Sequence, residues 1–174
     1  PDFGNDRSKI LNTISILKQF FSLNKPSTED FGEYVLEFII LEAKHHIDNN
    51  TFYYQYFDIA KNIGYSAELQ TISIETIKKA VNHSNGLQSP LIISILSYLE
   101  VCAKYFDEET LESLVATMLD AQNTQFGLLS TVQIVKAATS ANPGWIRHFK
   151  EVMEKLIACA WNKFHLEHPL IVSI

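Results

Sequence analysis

The chain is predicted to be all-α, a right-handed α-solenoid of about four antiparallel helix hairpins, and three observations predict it. Apolar residues recur with a period close to 3.6 along nearly the whole length. Capping and breaking residues fall where each periodic run stops. Only 6 glycines and 5 prolines occur in 174 residues, too few for the many tight turns of an all-β protein. With 47% hydrophobic and 20% charged residues, the chain can fill one core, so residues 1–174 read as a single domain. A closed helical bundle is the alternative arrangement of the same helices.

Eight helical runs follow in order. The first, about 5–23, has the stripe Ile10, Ile14, Leu17 and Phe21. Asn24-Lys25-Pro26-Ser27 breaks it, and Ser27 with Asp30 suits a capping-box-like start for the second. Phe31, Tyr34, Val35, Phe38 and Ile39 form the expected core stripe of that helix, which ends at Asp48-Asn49-Asn50. A third begins near Thr51 and carries Phe52, Tyr53, Tyr56, Phe57, Ala60 and Ile63. Gly64 is expected to close it as an αL cap. In the fourth, about 66–83, Thr71-Ile72-Ser73-Ile74 alternates like a strand, but a lone strand would have no partner. Glu68 and Glu75 early with Lys78 and Lys79 late suit a helix dipole, so this run is read as helix.

Ser89-Pro90, a cap followed by proline in the first turn, starts the fifth helix after the loop Ser84-Asn85-Gly86. It is apolar nearly all round and expected to run to Phe106 at the centre of the fold. Asp107 caps the sixth, in which Leu111, Leu114, Val115, Met118 and Leu119 follow an i, i+3, i+4, i+7, i+8 pattern. Phe126-Gly127 breaks the chain before a small-residue helix from Leu128 to Ala141, and Asn142-Pro143 opens the eighth. Short connections predict hairpins at about 5–47, 51–83, 89–122 and 128–165.

These pairs repeat. Leu111, Leu114, Val115, Met118 and Leu119 match Phe149, Val152, Met153, Leu156 and Ile157 at one constant offset of 38. Ile92, Ile93, Leu96, Leu99 and Cys102 match Leu128, Leu129, Val132, Val135 and Ala138 at an offset of 36. A two-helix unit of this length is the signature of an α-solenoid. The repeat length, with the Leu-Leu-Ser-x-Val-x-x-Val-x-x-Ala run at 128–138, resembles the helical-pair repeats of the heptatricopeptide and octotricopeptide class, often associated with a RAP domain. The resemblance covers about residues 51–165, and no RAP-like segment is visible. It implies a mitochondrial location and a place in RNA metabolism or ribosome assembly. HEAT and armadillo repeats fit almost as well, and imply a cytosolic adaptor binding a partner peptide or helix.

Composition narrows the chemistry. A net charge of −6, with Arg7 and Arg147 the only arginines, gives a weak footprint for phosphate binding. Protein partners are therefore expected before RNA. The most apolar stretch, Leu91 to Ala103, is interrupted by Glu100 and falls short of the roughly 20 residues of a membrane span. Cys102 and Cys159 lie inside helical patterns, which suits a reducing compartment. The sequons at Asn49 and Asn82 carry little weight without a secretory context. Pro1 and the apolar tail Leu170–Ile174 read as cut from a longer chain.

No phosphate loop, zinc-protease motif, nucleophile elbow or C-x-x-C occurs, so no catalytic residue, cofactor or metal is expected and the protein is read as a non-enzyme. His45 and His46 diverge by about 100° on a helix and cannot chelate together. His165 and His168 sit just before Pro169, where a helix is ending, and no cysteine completes a zinc set. Asp107, Glu108, Glu109 and Glu112 form the densest acidic cluster. Capping and dipole compensation account for the first three, and a patch for a basic partner is the other reading. Tyr54 falls outside the aromatic core arc of the third helix, and Trp161 lies at the edge of the eighth helix's stripe. With Lys104, Lys136, Arg147 and Lys150, they make up the candidate interaction surface of a scaffold inside a larger assembly.

Overall fold

The local signals act first at the helix starts. Ser66 Oγ accepts from Leu69 N at 3.2 Å, and Ser89 Oγ accepts from Ile92 N at 3.3 Å with Pro90 in the first turn. Asp107 accepts from both Thr110 N (2.7 Å) and Thr110 Oγ1 (2.9 Å). In the computed structural model these caps open three of the eight α-helices among the described residues: α1 Phe3–Leu23, α2 Glu29–His46, α3 Gln55–Ile63, α4 Ala67–Ala80, α5 Pro90–Cys102, α6 Glu108–Asp120, α7 Gln125–Ala141 and α8 Ile146–Phe164. Two 3₁₀ turns, Ala103–Tyr105 and Pro143–Trp145, complete the regular structure, and no strand occurs among the described residues.

The structure describes residues 3–23, 29–49, 52–81, 89–120 and 125–164; side chains at 3–6, 29–30, 120, 125–126 and 159–164 are outside the description. The Ser27–Asp30 capping pair, the Asn49 sequon beyond Asn49 itself, the whole Asn82 sequon, the Gly86 loop, His165, His168 and the C-terminal tail therefore lie wholly or partly outside it.

The all-α class holds, including the alternating stretch at 71–74, which is helical within α4. Several boundaries move. The third helix starts at Gln55 rather than Thr51, with Phe52 buried ahead of it. The Phe52 ring packs on Tyr56 and Phe57 in the first turn of α3. The fifth helix does not run on to Phe106. It ends at Cys102, tightens into the Ala103–Tyr105 turn, and buried, extended Phe106 redirects the chain into α6. Gly64 has φ 150° and ψ −163°, not the αL geometry expected, in a region that essentially only glycine occupies. Its N–H still closes α3 on Ala60 O at 2.9 Å.

One continuous core runs from Ile14 in α1 to Leu156 in α8. Contacts pass from α1 to α3, from α3 to α5 and from α5 to α7, while α2 packs on both α3 and α4. Between chain neighbours, α4 packs on α5, α6 on α7 and α7 on α8. α5 sits centrally: Ile92, Ile95, Leu96, Tyr98, Leu99 and Cys102 are buried against its neighbours. Each large apolar side chain so buried contributes about 1.5–3 kcal/mol. Ile93 and Val101 remain exposed on its free side.

Gly32 marks a close approach. A Cβ there would lie 3.1 Å from Ile63 Cγ2, so the bare backbone lets α2 settle on the end of α3. Ion pairs bridge other elements at the surface: Lys18 to Asp58 (2.6 Å) between α1 and α3, Lys44 to Glu68 between α2 and α4, and Lys79 of α4 to Asp48 just past α2 (2.7 Å). Exposed pairs of this kind contribute about 0–1 kcal/mol each and orient more than they stabilise.

Candidate interaction surface

A helix with apolar residues on two flanks can bury only the flank its neighbours reach. α2 is such a helix. Gly32, Val35, Ile39, Ile40, Ala43 and Ile47 face α3 and α4 and are buried. Phe31, Tyr34, Phe38 and Leu41 lie towards the other flank and are exposed, Tyr34 at 71% and Leu41 at 55%, with Phe31 still stacked on Phe21 and Phe38 edge-on to Tyr56 of α3 at 5.8 Å. This overturns the expectation that Phe31, Tyr34 and Phe38 belong to a core stripe. Val35 and Ile39 alone of that set are buried.

The exposed residues are spaced 3, 4 and 3 apart, the interval of a coiled-coil seam. α1 repeats the arrangement. Ile14 and Phe21 are buried, but Ile16 (67% exposed), Phe20 and Leu23 (81%) form a second seam spaced 4 and 3 apart. Lys18, about 200° round the helix from Ile16, reaches Asp58 on α3, so the seam is turned away from the rest of the fold. Phe20 and Phe21 near the end of α1 meet Phe31 near the start of α2, with centroids 5.9 Å apart in both cases. The two seams thus meet at this aromatic contact, while α1 and α2 each pack on α3. At the rim of the seams stand exposed Lys9, Glu33 and Glu37, which form no ion pair among the described residues.

The residues singled out from the sequence lie elsewhere. Tyr54 is exposed at the start of α3. Lys104, in the Ala103–Tyr105 turn, holds its ammonium 4.8 Å from the Tyr105 ring centroid, and Tyr105 stacks on Tyr65 at 4.5 Å. Lys136 is exposed on α7, and Arg147 and Lys150 are exposed on α8. The Lys104 turn and α8 both pack on α7, so these four basic residues ride on elements in mutual contact. Tyr54 is set apart from them, because α3 packs on α1, α2 and α5. Trp161 lies on α8 with its side chain outside the description.

Acidic groups break up the basic set. Glu151 pairs with Lys155 at 2.9 Å, and that ammonium lowers its carboxyl pKa, while His148 bonds Glu112 across α8 and α6. The interleaved signs leave no continuous positive track of the kind that phosphate binding uses.

Buried ionisable groups are held neutral. Burial pushes the Cys102 thiol up to about 11 and the Tyr56 phenol up to about 12, and also raises Tyr98. A thiol that stays protonated at neutral pH packs as a small apolar side chain rather than acting as a nucleophile. No three His, Cys, Asp or Glu side chains among the described residues are grouped so as to hold a metal ion, and no described helix is long and apolar enough to cross a membrane.

Periodicity could not separate the outer face of α1 and α2 from a core stripe, because it registers apolarity and not what covers it. The available signal was an excess: α2 carries more apolar residues than one flank can hold. Compared with protein-family models, curated proteins and solved structures, the chain matches none.

Proposed function

We propose that this chain is a non-enzymatic helical-repeat scaffold that docks protein within a larger assembly, with the outer face of α1 and α2 as a docking surface. The observation that carries the reading is the exposure of seven large apolar side chains in seam spacing on these two helices. Leaving such area in water costs about 25 cal/mol per Å², and soluble monomers seldom expose it as one patch.

Behind the surface we infer a right-handed solenoid of about four helix pairs. Its support is the succession of contacts from α1 through α3 and α5 to α7. Further support comes from matched burial at repeat-related positions: Leu111 with Phe149, Met118 with Leu156, Leu96 with Val132, Leu99 with Val135 and Cys102 with Ala138. Solenoid ends exposed to water ordinarily carry a polar outer face. α1 and α2 present an apolar one, as expected of an end on which something else stacks. The resemblance to the heptatricopeptide and octotricopeptide class suggests a mitochondrial RNA-processing or ribosome-related assembly as the setting. The net charge of −6 favours protein over RNA as the direct ligand.

Two measurements test this. Filter binding to single-stranded RNA at low and high salt is expected to give no tight, salt-sensitive complex; a steep fall of affinity with salt would replace protein docking by phosphate recognition. Leu41→Glu should retain the helical circular dichroism and a cooperative melt, whereas Ile39→Glu, two residues along on the covered flank, should unfold the chain. Unfolding by both substitutions would make the outer face part of the core and end the docking proposal.

A further inference from the structure

The docking surface proposed above has the properties of a self-association interface, and we propose that its occupant is a second copy of this chain, the two α1–α2 pairs packing face to face as a four-helix layer. This rests on the docking reading and adds the identity of the partner.

Three features point to a like partner. The first is geometric. Both α1 and α2 expose seams with coiled-coil spacing, so the face offers knobs and holes to two helices and not to one. A second α1–α2 pair supplies two helices with the same spacing, as in a four-helix bundle.

The second is area. Ile16, Phe20, Leu23, Phe31, Tyr34, Phe38 and Leu41 are between 37% and 81% exposed. At about 200 Å² for each fully open side chain, they offer on the order of 800 Å². A standard stable interface takes about 800 Å² from each partner. The apolar centre alone matches that requirement, with the rim still to be added.

The third is charge. A two-fold interface sets a patch against itself, so a patch of one sign would repel its copy. Here the centre is uncharged and the rim is mixed: Lys9 stands on α1, and Glu33 and Glu37 stand on α2. Laying α1 of one copy over α2 of the other brings opposite signs together.

Sedimentation equilibrium of the 174-residue chain from about 1 to about 100 µM tests the proposal. A dimer is expected. Tyr34→Glu and Leu41→Glu should each weaken it at least roughly tenfold with helical content unchanged, while Ile146→Glu, a control at an exposed apolar position on α8, should leave it intact. A chain that stays monomeric throughout overturns the second copy as occupant, and so does a dimer that Ile146→Glu dissociates and Leu41→Glu does not. For a monomeric result, fluorescence of the apolar dye anilinonaphthalene sulfonate separates the two readings. Dye binding suppressed by Leu41→Glu would leave the docking surface standing for another protein. Its absence would remove that surface as well.

Discussion

The Tyr98 hydroxyl, on a fully buried side chain of α5, accepts the backbone N–H of Ser66 at 3.1 Å, while the Ser66 hydroxyl accepts from Leu69 N in the first turn of α4. One serine therefore has both its backbone donor and its side-chain acceptor engaged. The bond from Tyr98 fixes where α4 begins relative to α5. Tyr98→Phe keeps the ring and leaves the Ser66 N–H without its partner, so it should destabilise by about 1 kcal/mol, against about 3–5 kcal/mol for Tyr98→Ala. Urea titrations of the three proteins measure the difference. Equal losses for the two variants would mean that the ring contributes nothing beyond its hydroxyl.

Asp107 caps α6 as a carboxylate, and its pKa is lowered because the Thr110 backbone N–H and then the Thr110 hydroxyl donate to the charged form. A lowered folded-state pKa contributes stability that is fully present above the unfolded value, about 4, and is lost as pH falls through the folded one. Asp107→Ala should cost about 1 kcal/mol at neutral pH. It should also flatten the acid limb of stability below about pH 4. Melting temperatures of both proteins across that range give the comparison, and parallel acid limbs would dismiss the carboxylate cap.

Cys102 carries the opposite sign. Burial raises its thiol from its ordinary value near 9 to about 11, with the hydrogen bond to Tyr98 and the charge of Lys104 pulling weakly the other way. A group whose folded pKa is raised contributes stability below its unfolded value that drains away as pH climbs towards the folded one. Stability should therefore decline between about pH 9 and about pH 11, less so in Cys102→Ala after its cavity cost is subtracted. Iodoacetamide at neutral pH followed by peptide mass mapping should leave Cys102 unlabelled in the folded chain and label it in urea. Rapid native labelling would contradict a buried, protonated thiol.

Gly64→Ala should destabilise by at least about 1 kcal/mol, although a Cβ there would meet nothing within 4 Å. The cause is backbone conformation alone, since φ 150° with ψ −163° is closed to a residue with a Cβ. Replacement by Asn, which tolerates αL but not this region, should rescue nothing. A neutral result for either substitution would place Gly64 in an ordinary conformation.

Helix position was largely legible along the chain, because it depends on nearby residues. Ser89 and Asp107 each accept a backbone N–H three residues ahead on a capping oxygen, so reading them as caps needed no tertiary information. The limits of that reading appear where distant residues decide. Phe52 and Phe106 look helical by spacing, yet both are buried outside the helices, Phe52 against the Tyr56 and Phe57 rings and Phe106 in extended backbone. At the candidate surface the loss is larger. Tyr54, Lys104, Lys136, Arg147 and Lys150 were visible by type, but α7 gathers four of them and leaves Tyr54 apart.

By itself the sequence determined that this protein is helical, roughly where its helices start and stop, and that it lacks recognisable catalytic motifs. All of these follow from local periodicity, capping chemistry and motif spacing. Only the tertiary structure decided which of two apolar flanks on α1 and α2 is covered. Val35 and Tyr34 are neighbours on one helix and both apolar by pattern, but α3 and α4 occupy only one side of it. Burial is a relation between a residue and whatever reaches it, and chain spacing encodes only the first of the two.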